Sequence, residues 1–274
     1  MAPFRHFARG FGLAFREALD ALASLVFPAP CRICEATLTA ASRIPVCSAC
    51  LDSFQPLSGA ACQKCGKPFV SAVAAASPQP LCHLCRRDVY NFDLARSFAA
   101  YTDAMVRAIV LLKYHEVTPL GVWFGARLAE MVARDPEAFA ADVVVPVPLH
   151  ASRLRERGYN QAELIARPLS KRLDLPLRSY LLVRTRPRPE KLKLTRQERW
   201  RTVRGAYAMR TAAKIDKLRV LLVDDVFTTG ATLDACARVL RQAGASRVVA
   251  LTVARVAPGW LSGSSAGVAE PVKE

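Results

Sequence analysis

Apolar and polar positions follow two periods along this chain, one typical of strands and one typical of helices. Continuous apolar runs, as expected of strands covered on both faces, lie at 143–149, 219–225 and 246–256. Two further strands are predicted at 94–101 and 177–183. Apolar residues spaced by three to four positions predict helices over 103–114, 117–135, the segment that ends near Leu173, and 229–242. This alternation predicts an α/β fold with a parallel sheet and helices on both faces.

The remaining segments follow neither pattern or lie outside the sheet. Residues 3–27 carry a helical apolar stripe that ends before Pro28, and they predict an amphipathic helix that packs on the rest of the molecule. Attachment of this helix to a membrane surface is the alternative, because basic and aromatic residues adjoin at its start. The basic segments 151–161 and 184–204 are predicted to be loops, and 258–274 to be a disordered tail.

Eight of the nine cysteines form four CxxC pairs between residues 28 and 90, where no apolar period is long enough to form a core. A CxxC pair presents two sulfurs at the separation that tetrahedral Zn(II) requires, and two pairs close the coordination shell. The segment is therefore predicted to be a domain with two structural zinc sites. We favour sequential pairing, in which one site has Cys31, Cys34, Cys47 and Cys50, and the other has Cys62, Cys65, Cys82 and Cys85.

Other uses of the cysteine pairs stay open at this point. Spacing does not exclude an interleaved pairing of the four CxxC units. Iron–sulfur binding and redox dithiols are the chemical alternatives, although nothing around the pairs is similar to a thioredoxin unit. Zinc thiolates, together with an N-terminus whose charges interrupt any signal-peptide core, favour a cytoplasmic location.

Net charge adds a preference for anionic partners. The chain carries 39 Lys and Arg against 23 Asp and Glu, a formal charge of +16. Seventeen basic and five acidic residues fall between 151 and 210, so much of the surplus lies in one stretch. Such a field attracts phosphorylated metabolites or nucleic acid, while a generally basic, soluble surface is the simpler reading. The apolar runs are shorter than a membrane-spanning helix requires, so integral membrane association is not expected.

The segment VLLVDDVFTTGAT, residues 220–232, holds the strongest candidate chemistry. It joins an apolar strand, two acids and a Thr/Gly-rich turn that opens a helix. Backbone N–H groups and hydroxyls of such a turn converge on one point at a helix N-terminus, and this arrangement suits a phosphate. Asp224 and Asp225 can accept hydrogen bonds from the hydroxyls of a sugar whose phosphate lies in the turn, or reach a hydrated Mg(II).

This segment resembles the phosphoribosyl pyrophosphate motif of type I phosphoribosyltransferases. The chain from about residue 25 to 257 resembles the ComF family of competence-related proteins, through FPAPCRIC, the double cysteine module, LKYHE, VPVPLHASRLRERGYNQ and RTR…ERWRTVRGAY. The resemblance implies a doubly wound, mainly parallel phosphoribosyltransferase fold after an N-terminal helix and a small zinc-ribbon module. The domains expected are 1–27, the helix; 28–90, the double zinc ribbon; 91–257, the phosphoribosyltransferase domain; and 258–274, the tail.

The resemblance also implies roles for individual residues. Asp224 and Asp225 would hold the ribose hydroxyls. The 5-phosphate would bind to Thr228, Thr229, Gly230, Ala231 and Thr232. Contacts to the pyrophosphate and its Mg(II) would come from Lys113, Pro148, Leu149, Ser152, Arg153, Arg157 and Asn160. The segment 184–204 would be the mobile loop that closes over the substrate.

Two functions from different classes follow. One is binding of phosphoribosyl pyrophosphate or a nucleotide with Mg(II), with transfer of the phosphoribosyl group to an unknown acceptor. The other is a non-catalytic accessory that binds single-stranded DNA and works with the DNA-uptake machinery or in repair. Tyr159, Tyr180, Trp200 and Tyr207 alternate with basic residues, and aromatic side chains of this kind can stack bases.

A monomer and a homodimer are both compatible with the sequence. Because the cysteine pairs and the phosphate turn are separate segments, the sequence predicts that Asp225→Asn or Gly230→Val abolishes binding of phosphoribosyl pyrophosphate and leaves the zinc content unchanged.

Overall fold

A computed structural model describes residues 29–38, 42–69, 78, 80–187, 195–210 and 215–256. The predicted N-terminal helix, the predicted tail and part of the predicted mobile loop lie outside these residues. The contacts between residues divide the chain into two compact units, residues 1–54 and 55–274. The division falls inside the predicted 28–90 ribbon domain, so the first four cysteines lie in one unit and the last four in the other.

The described part of the smaller unit is a cysteine-rich fold with one short helix, α1 (Ser48–Asp52). An isolated bridge pairs Pro30 with Thr37, and the Cys31 carbonyl accepts a hydrogen bond from the Glu35 N–H at 2.8 Å. Glu35 has a left-handed backbone with φ of 65°. This tight turn brings Cys31 and Cys34 to the same side, where Cys47 and Cys50 join them from the start of α1.

The larger unit begins with a second copy of the same turn. Ala61 pairs with Pro68, and the Cys62 carbonyl accepts from the Gly66 N–H at 2.8 Å. Gly66 occupies the left-handed position with φ of 68°. Of the last two cysteines, Cys82 immediately precedes α2 (His83–Arg86) and Cys85 lies within it. His83 is exposed on that helix and is not part of the cysteine cluster.

A four-stranded parallel sheet forms the centre of the larger unit. Its strands are β1 (Leu94–Ala100), β2 (Val143–Pro146), β5 (Arg219–Phe227) and β6 (Arg247–Arg255), in the order β1-β6-β5-β2. Nearly all residues of β5 and β6 are buried, so both faces of these strands are covered. A separate antiparallel pair joins β3 (Leu182–Arg184) to β4 (Tyr207–Met209). The predicted parallel α/β fold is confirmed.

The helices of this unit are α3 (Asp103–Tyr114), α4 (Pro119–Arg134), α5 (Ala151–Arg157), α6 (Gln161–Leu173), α7 (Arg196–Val203) and α8 (Ala231–Gln242). α4 and α6 pack so closely that a Cβ on Gly125 would lie 2.5 Å from the Ile165 carbonyl oxygen. Pro168 lies inside α6, as the sequence placed it. Within the described residues, no helix has both the length and the apolar character needed to cross a membrane.

Three predictions about local structure are wrong. Most of the predicted basic loop 151–161 is the helix α5, which has no buried residue but is closed by a left-handed Gly158 with φ of 80°. Part of the predicted loop 184–204 is the helix α7, which starts with a capping box between Thr195 and Glu198. The strand predicted at 177–183 begins only at Leu182. Both of these helices have local caps, which an apolar pattern does not reveal.

Candidate functional site

The turn after β5 forms the centre of the candidate site. β5 ends at Phe227, and α8 begins at Ala231 behind Gly230, whose φ is 80°. The first N–H groups of a helix have no partner inside the helix, so this turn presents donors at its open end. The hydroxyl of Thr229 accepts a weak bond from the Ala231 N–H at 3.4 Å, while Thr228 is exposed.

The parallel sheet explains how distant segments meet at this turn. Pro146, the last residue of β2, is in register with Val223 of β5. Carboxyl ends of neighbouring parallel strands lie at the same edge of a sheet, so the segment after β2 reaches the acids of β5. The two acids lie inside β5, two and three residues before its end, and not after the strand.

Asp224 and Asp225 are buried together with one cation. Their exposed fractions are 7% and 5%, and Lys113 Nζ lies 2.5 Å from Asp225 Oδ2. Burial raises the pKa of Asp224 to about 8, and the negative charge of Asp225 adds to the rise. Burial acts in the same direction on Asp225, but the Lys113 ammonium outweighs it and lowers the pKa of that carboxyl. The two neighbouring carboxyls are therefore shifted in opposite directions: the ion pair with Lys113 favours the ionised form of Asp225, and burial beside that charge favours the protonated form of Asp224.

A cavity of about 140 Å³ opens beside these acids, and its wall is mostly polar and basic. The predicted residues that line it are Lys113, Pro148, Leu149, Arg153, Arg157, Asp224 and Thr232. Three of the four basic side chains around it, Lys113, Arg153 and Arg157, come from two helices and were predicted from the sequence. The fourth is Arg184, at the end of β3. The structure therefore brings half of the fourteen predicted ligand-site residues together around one anion-sized space, whereas Asp225 and the turn residues 228–231 are not part of its wall.

Two predicted residues have local structural contacts instead. Asn160 caps α6 by accepting from the Ala162 N–H at 3.1 Å, and its amide donates to the Val147 carbonyl at 3.0 Å. Ser152 hydrogen bonds through its hydroxyl to His150 Nδ1 at 2.7 Å. Both contacts shape the segment that follows β2, and within the described residues neither side chain lines the cavity.

Arg157 is held in place by neighbours on two sides. Its guanidinium donates to Gln161 Oε1 at 2.6 Å and lies 5.0 Å from the centre of the Tyr114 ring. The hydroxyl of Tyr159 donates to the Leu112 carbonyl, which ties the same segment to α3. The sequence motif around Arg157 therefore orients a cation toward the cavity and fastens α5 to the helix that carries Lys113.

Sequence reasoning did not assign Arg184 to the site, and it offered Tyr207 only as a stacking residue. Both line the cavity, and the Arg184 guanidinium lies 5.4 Å from the centre of the Tyr207 ring. The Tyr207 hydroxyl is buried and forms no hydrogen bond within the described part of the chain. Burial raises the pKa of this phenol, so it stays a neutral donor. No local pattern marks either residue, because the β3–β4 pairing alone brings them here.

The cysteines form two clusters with the sequential pairing that the sequence favoured. In each cluster the four sulfurs lie within 4.8 Å of one another. Measured separations are 3.9 Å for Cys31–Cys50, 3.6 Å for Cys34–Cys47 and 3.7 Å for Cys65–Cys82. Thiolates about 2.3 Å from a tetrahedral zinc lie about 3.8 Å apart, so the donors present fit Zn(II).

Backbone donors support the same fit. The N–H groups of Ile33 and Cys47 donate to the Cys31 sulfur at 3.5 and 3.3 Å. In the second cluster the Cys82 N–H donates to the Cys62 sulfur at 3.3 Å. Such bonds stabilise the charge of metal-bound thiolates and fix their orientation. Four thiolates leave no position for a water molecule, so the arrangement suits a structural metal.

Metal analysis of the purified protein is expected to give two zinc ions per chain. Replacing Cys34 and Cys47 together by Ser should leave one zinc, because two of the four donors of the first cluster are lost. Elemental analysis by mass spectrometry measures both values. Iron in place of zinc, or one metal in the unmodified chain, would contradict this expectation.

The second cysteine cluster and the segment that follows it are hydrogen-bonded to the candidate site and its sheet. Tyr90, which follows the second cluster, donates from its hydroxyl to the Thr229 carbonyl at 3.0 Å. Arg255, at the end of β6, donates to the Cys65 carbonyl at 2.6 Å. The folded chain therefore joins segments that lie more than a hundred residues apart in sequence.

Comparisons with known proteins give matches for the cysteine-rich segment and for the segment that contains the phosphate turn. A family model for a double zinc ribbon domain matches residues 22–86, and one for a phosphoribosyl transferase domain matches residues 160–262. Competence protein F of Haemophilus influenzae is 32% identical over 135 residues, which cover 47% of this chain and 59% of that protein. DNA utilization protein YhgH of Salmonella typhimurium is 28% identical over 227 residues, which cover 82% of this chain and 96% of that protein.

A third relative extends the same pattern. Competence protein ComFC of Bacillus subtilis is 28% identical over 218 residues, which cover 77% of this chain and 84% of that protein. The resemblance inferred from the sequence motifs is thereby confirmed. The chain carries a double zinc ribbon and a phosphoribosyl transferase domain, and it is a homologue of competence protein F, ComFC and YhgH.

Proposed function

We propose that this protein binds phosphoribosyl pyrophosphate with Mg(II) and transfers the phosphoribosyl group to an acceptor. The observation that carries the proposal is the buried acid pair of β5, which precedes the phosphate turn and of which Asp224 lines a cavity together with four basic side chains. A hydrogen-bonding acid on one wall of a small cavity and basic side chains on the others suit a ligand with hydroxyls on one part and phosphates on the other. The thiolate clusters favour a reducing, cytoplasmic environment.

Each part of the ligand has a matching part of the site. The turn from Thr228 to Thr232 holds the 5-phosphate through backbone N–H groups. Asp224 and Asp225 accept hydrogen bonds from the ribose 2- and 3-hydroxyls. Lys113, Arg153 and Arg157 surround the pyrophosphate. Carboxylate and phosphate oxygens are the donors that Mg(II) prefers, and Mg(II) supplies neutralising charge to the pyrophosphate when it is bound.

The reaction that this arrangement supports is displacement at the anomeric carbon of ribose. The bond between C1 and the pyrophosphate oxygen breaks, and its electron pair leaves with pyrophosphate. The acceptor's lone pair forms the new bond to C1, and a proton carried by the acceptor passes to solvent. Lys113, Arg153 and Arg157 stabilise the charge that builds on the leaving group, an electrostatic contribution of a few kcal/mol for each well-placed donor. The acids hold the ribose in position while the positive charge on C1 develops.

Isothermal titration with phosphoribosyl pyrophosphate and Mg(II) tests the proposal. We expect micromolar binding, and a loss of at least about tenfold in Asp225→Asn. That substitution removes the carboxylate that holds the ribose and leaves the Lys113 ammonium without its partner, a change that typically costs a few kcal/mol in a buried site. Zinc content and circular dichroism control for folding. Equal affinity in both proteins would show that the acid pair is not part of the site.

Binding of single-stranded DNA is a second candidate function, favoured by a separate surface. Tyr180 is 73% exposed, and the Arg210 guanidinium lies 5.7 Å from the centre of its ring. Arg167 and Arg178 border a cavity beside Tyr180. An exposed aromatic ring among cations suits base stacking and phosphate contacts. The relatives that match this chain are named for competence and DNA utilization.

The same titration distinguishes the two functions. The protein is loaded with an oligo-dT strand and then titrated with phosphoribosyl pyrophosphate. Tight strand binding that weakens steeply with salt, without binding of the sugar phosphate, would favour the DNA function. Binding of the sugar phosphate with no affinity for the strand would exclude it.

A further inference from the structure

We propose that the second cysteine cluster, Cys62, Cys65, Cys82 and Cys85, holds the phosphate turn in its binding conformation, with Tyr90 and Arg255 as the positioning residues. A metal at this cluster is then required for tight binding of the ligand's 5-phosphate, although it lies outside the ligand cavity. The ligand part of this proposal rests on the proposed function, whereas the conformational part does not.

Arg255 forms the first connection. Its side chain is 5% exposed, and it donates to the Cys65 carbonyl oxygen at 2.6 Å and to the Cys65 sulfur at 3.7 Å. Within the described residues it forms no salt bridge with a carboxylate, so the cluster is its anionic partner. Four thiolates around Zn(II) carry a net charge of about −2, which balances a buried guanidinium.

The same guanidinium also contacts the strand that leads into the turn. Its central carbon lies 3.9 Å from the centre of the Phe227 ring, a close cation–π contact. A Cβ on Gly230 would lie 2.8 Å from Cζ of that ring. The turn backbone therefore lies directly against Phe227, and Phe227 lies against the arginine that is bound to the cluster.

Tyr90 forms the second connection. It follows Cys85 by five residues, and its hydroxyl donates to the Thr229 carbonyl at 3.0 Å. Its ring reaches the same point of the turn as Phe227: a Cβ on Gly230 would lie 2.7 Å from Tyr90 Cε1, and the Tyr90 and Phe227 rings pack edge to face with their centres 6.2 Å apart. The turn therefore lies against a pair of packed rings, one fixed by the chain after Cys85 and one fixed by Arg255.

Asn91, the residue after Tyr90, connects the same segment to α8. The backbone N–H and side-chain amide of Asn91 both donate to Asp234 Oδ1, at 2.8 and 2.7 Å. Asp234 is 1% exposed and lies in the first turn of α8. The helix N-terminus that presents donors to the phosphate is therefore anchored to the same segment as the turn.

Docking of the cluster on the sheet makes the connection short and rigid. The Ala95 N–H donates to the Lys64 carbonyl at 2.8 Å, between the two cysteines of the third pair. A Cβ on Gly66 would lie 2.8 Å from the Ala95 carbonyl oxygen, so only glycine permits this approach. Bonds from the four thiolates to a metal are the interactions that organise a short cysteine-rich segment of this kind, so loss of the metal loosens the segment from Cys62 to Cys85. When this segment loses its order, Tyr90 and Arg255 no longer fix the turn. A phosphate site that is not preorganised binds its ligand more weakly.

Hydrogen–deuterium exchange of the full chain, without ligand, tests the conformational part. We expect Cys65→Ser/Cys82→Ser to lose one zinc and to increase exchange in residues 227–233 at least tenfold. The double variant Cys34→Ser/Cys47→Ser also loses one zinc and is the matched control, with exchange in 227–233 unchanged. Unchanged exchange in the Cys65/Cys82 variant, with its zinc lost, would overturn the proposal whether or not the protein binds phosphoribosyl pyrophosphate.

Milder variants keep the proposal testable if the cysteine variant does not fold. Tyr90→Phe and Arg255→Lys should keep two zincs, increase exchange in 227–233 and weaken binding of phosphoribosyl pyrophosphate about five- to tenfold. Lys64→Ala, which removes an ion pair with the exposed Asp88 in the same ribbon, should change neither measurement. A lower melting temperature with unchanged exchange in 227–233 for both milder variants would show a purely structural role and overturn the proposal. Failure of the unmodified protein to bind the ligand would count against the proposed function alone.

Discussion

Gly230→Val is expected to reduce the affinity for phosphoribosyl pyrophosphate a hundredfold or more. Gly230 has φ of 80°, which a β-branched residue rarely adopts. Its new side chain would also have to displace the rings of Tyr90 and Phe227, which lie 2.7 and 2.8 Å from the Cβ position. Relief of both strains moves the N–H groups that face the phosphate, so the site itself is deformed.

Gly59→Val is the control for a valine at a left-handed position outside the turn. Gly59 has φ of 83°, but no atom lies within 4 Å of its Cβ position. It therefore shares the backbone strain and lacks the contact with the rings. We expect calorimetric titration to show normal affinity for Gly59→Val and two zincs in both variants. Normal affinity in Gly230→Val would exclude the turn as the phosphate site.

Asp224→Asn is expected to stabilise the folded protein above neutral pH while it weakens ligand binding. Burial and the charge of Asp225 raise the pKa of Asp224 to about 8. A raised carboxyl pKa favours folding while the group is protonated, and this contribution declines as pH rises from about 4 to 8. Asparagine has no charge to bury, and its Oδ1 can still accept from the Asp225 N–H. The variant should therefore be more stable by about 2–4 kcal/mol at pH 8.5.

Urea denaturation at pH 5 and pH 8.5 measures this effect. The gain in unfolding free energy for Asp224→Asn should be larger at pH 8.5 than at pH 5. Asp52→Asn changes an exposed carboxyl and serves as the control. Its free energy of unfolding should equal that of the unmodified protein at each of the two pH values. If Asp224→Asn were no more stable than the unmodified protein at pH 8.5, the two acids would not be in electrostatic conflict. A gain in stability from loss of a binding group is common where sites hold strained charges.

The sequence predicted the central elements well because their apolar patterns and their burial agree. The helix predicted at 103–114 is α3 with the same bounds, and the run at 246–256 contains β6. The helix α5 was predicted as a loop because none of its residues is buried, which leaves no apolar period to detect. The start of α7 did carry a signal, the Thr195–Glu198 capping box, which a search for apolar periodicity overlooks.

The candidate site was predicted where its residues share a motif, and it was missed where only the fold unites them. Asp224, Asp225 and the turn belong to one segment, and Lys113 lies in a second motif. Tyr90 and Arg255 are 165 residues apart and have no local pattern, yet both contact the phosphate turn or the residue before it. Their contacts depend on the pairing of β6 with β5 and on the docking of the third cysteine pair, Cys62 and Cys65, at β1, which the sequence does not specify.

The division of the chain at residue 54 has a practical consequence for work with fragments. A fragment cut at residue 91, where the strand and helix patterns begin, would contain the whole sheet but would lack Tyr90 and the partner of Arg255. It would expose a buried guanidinium and one side of the Phe227 ring, so poor solubility and weak ligand binding are the expected properties. A fragment that starts at Gln55 keeps these contacts, because the unit that folds together includes half of the double ribbon.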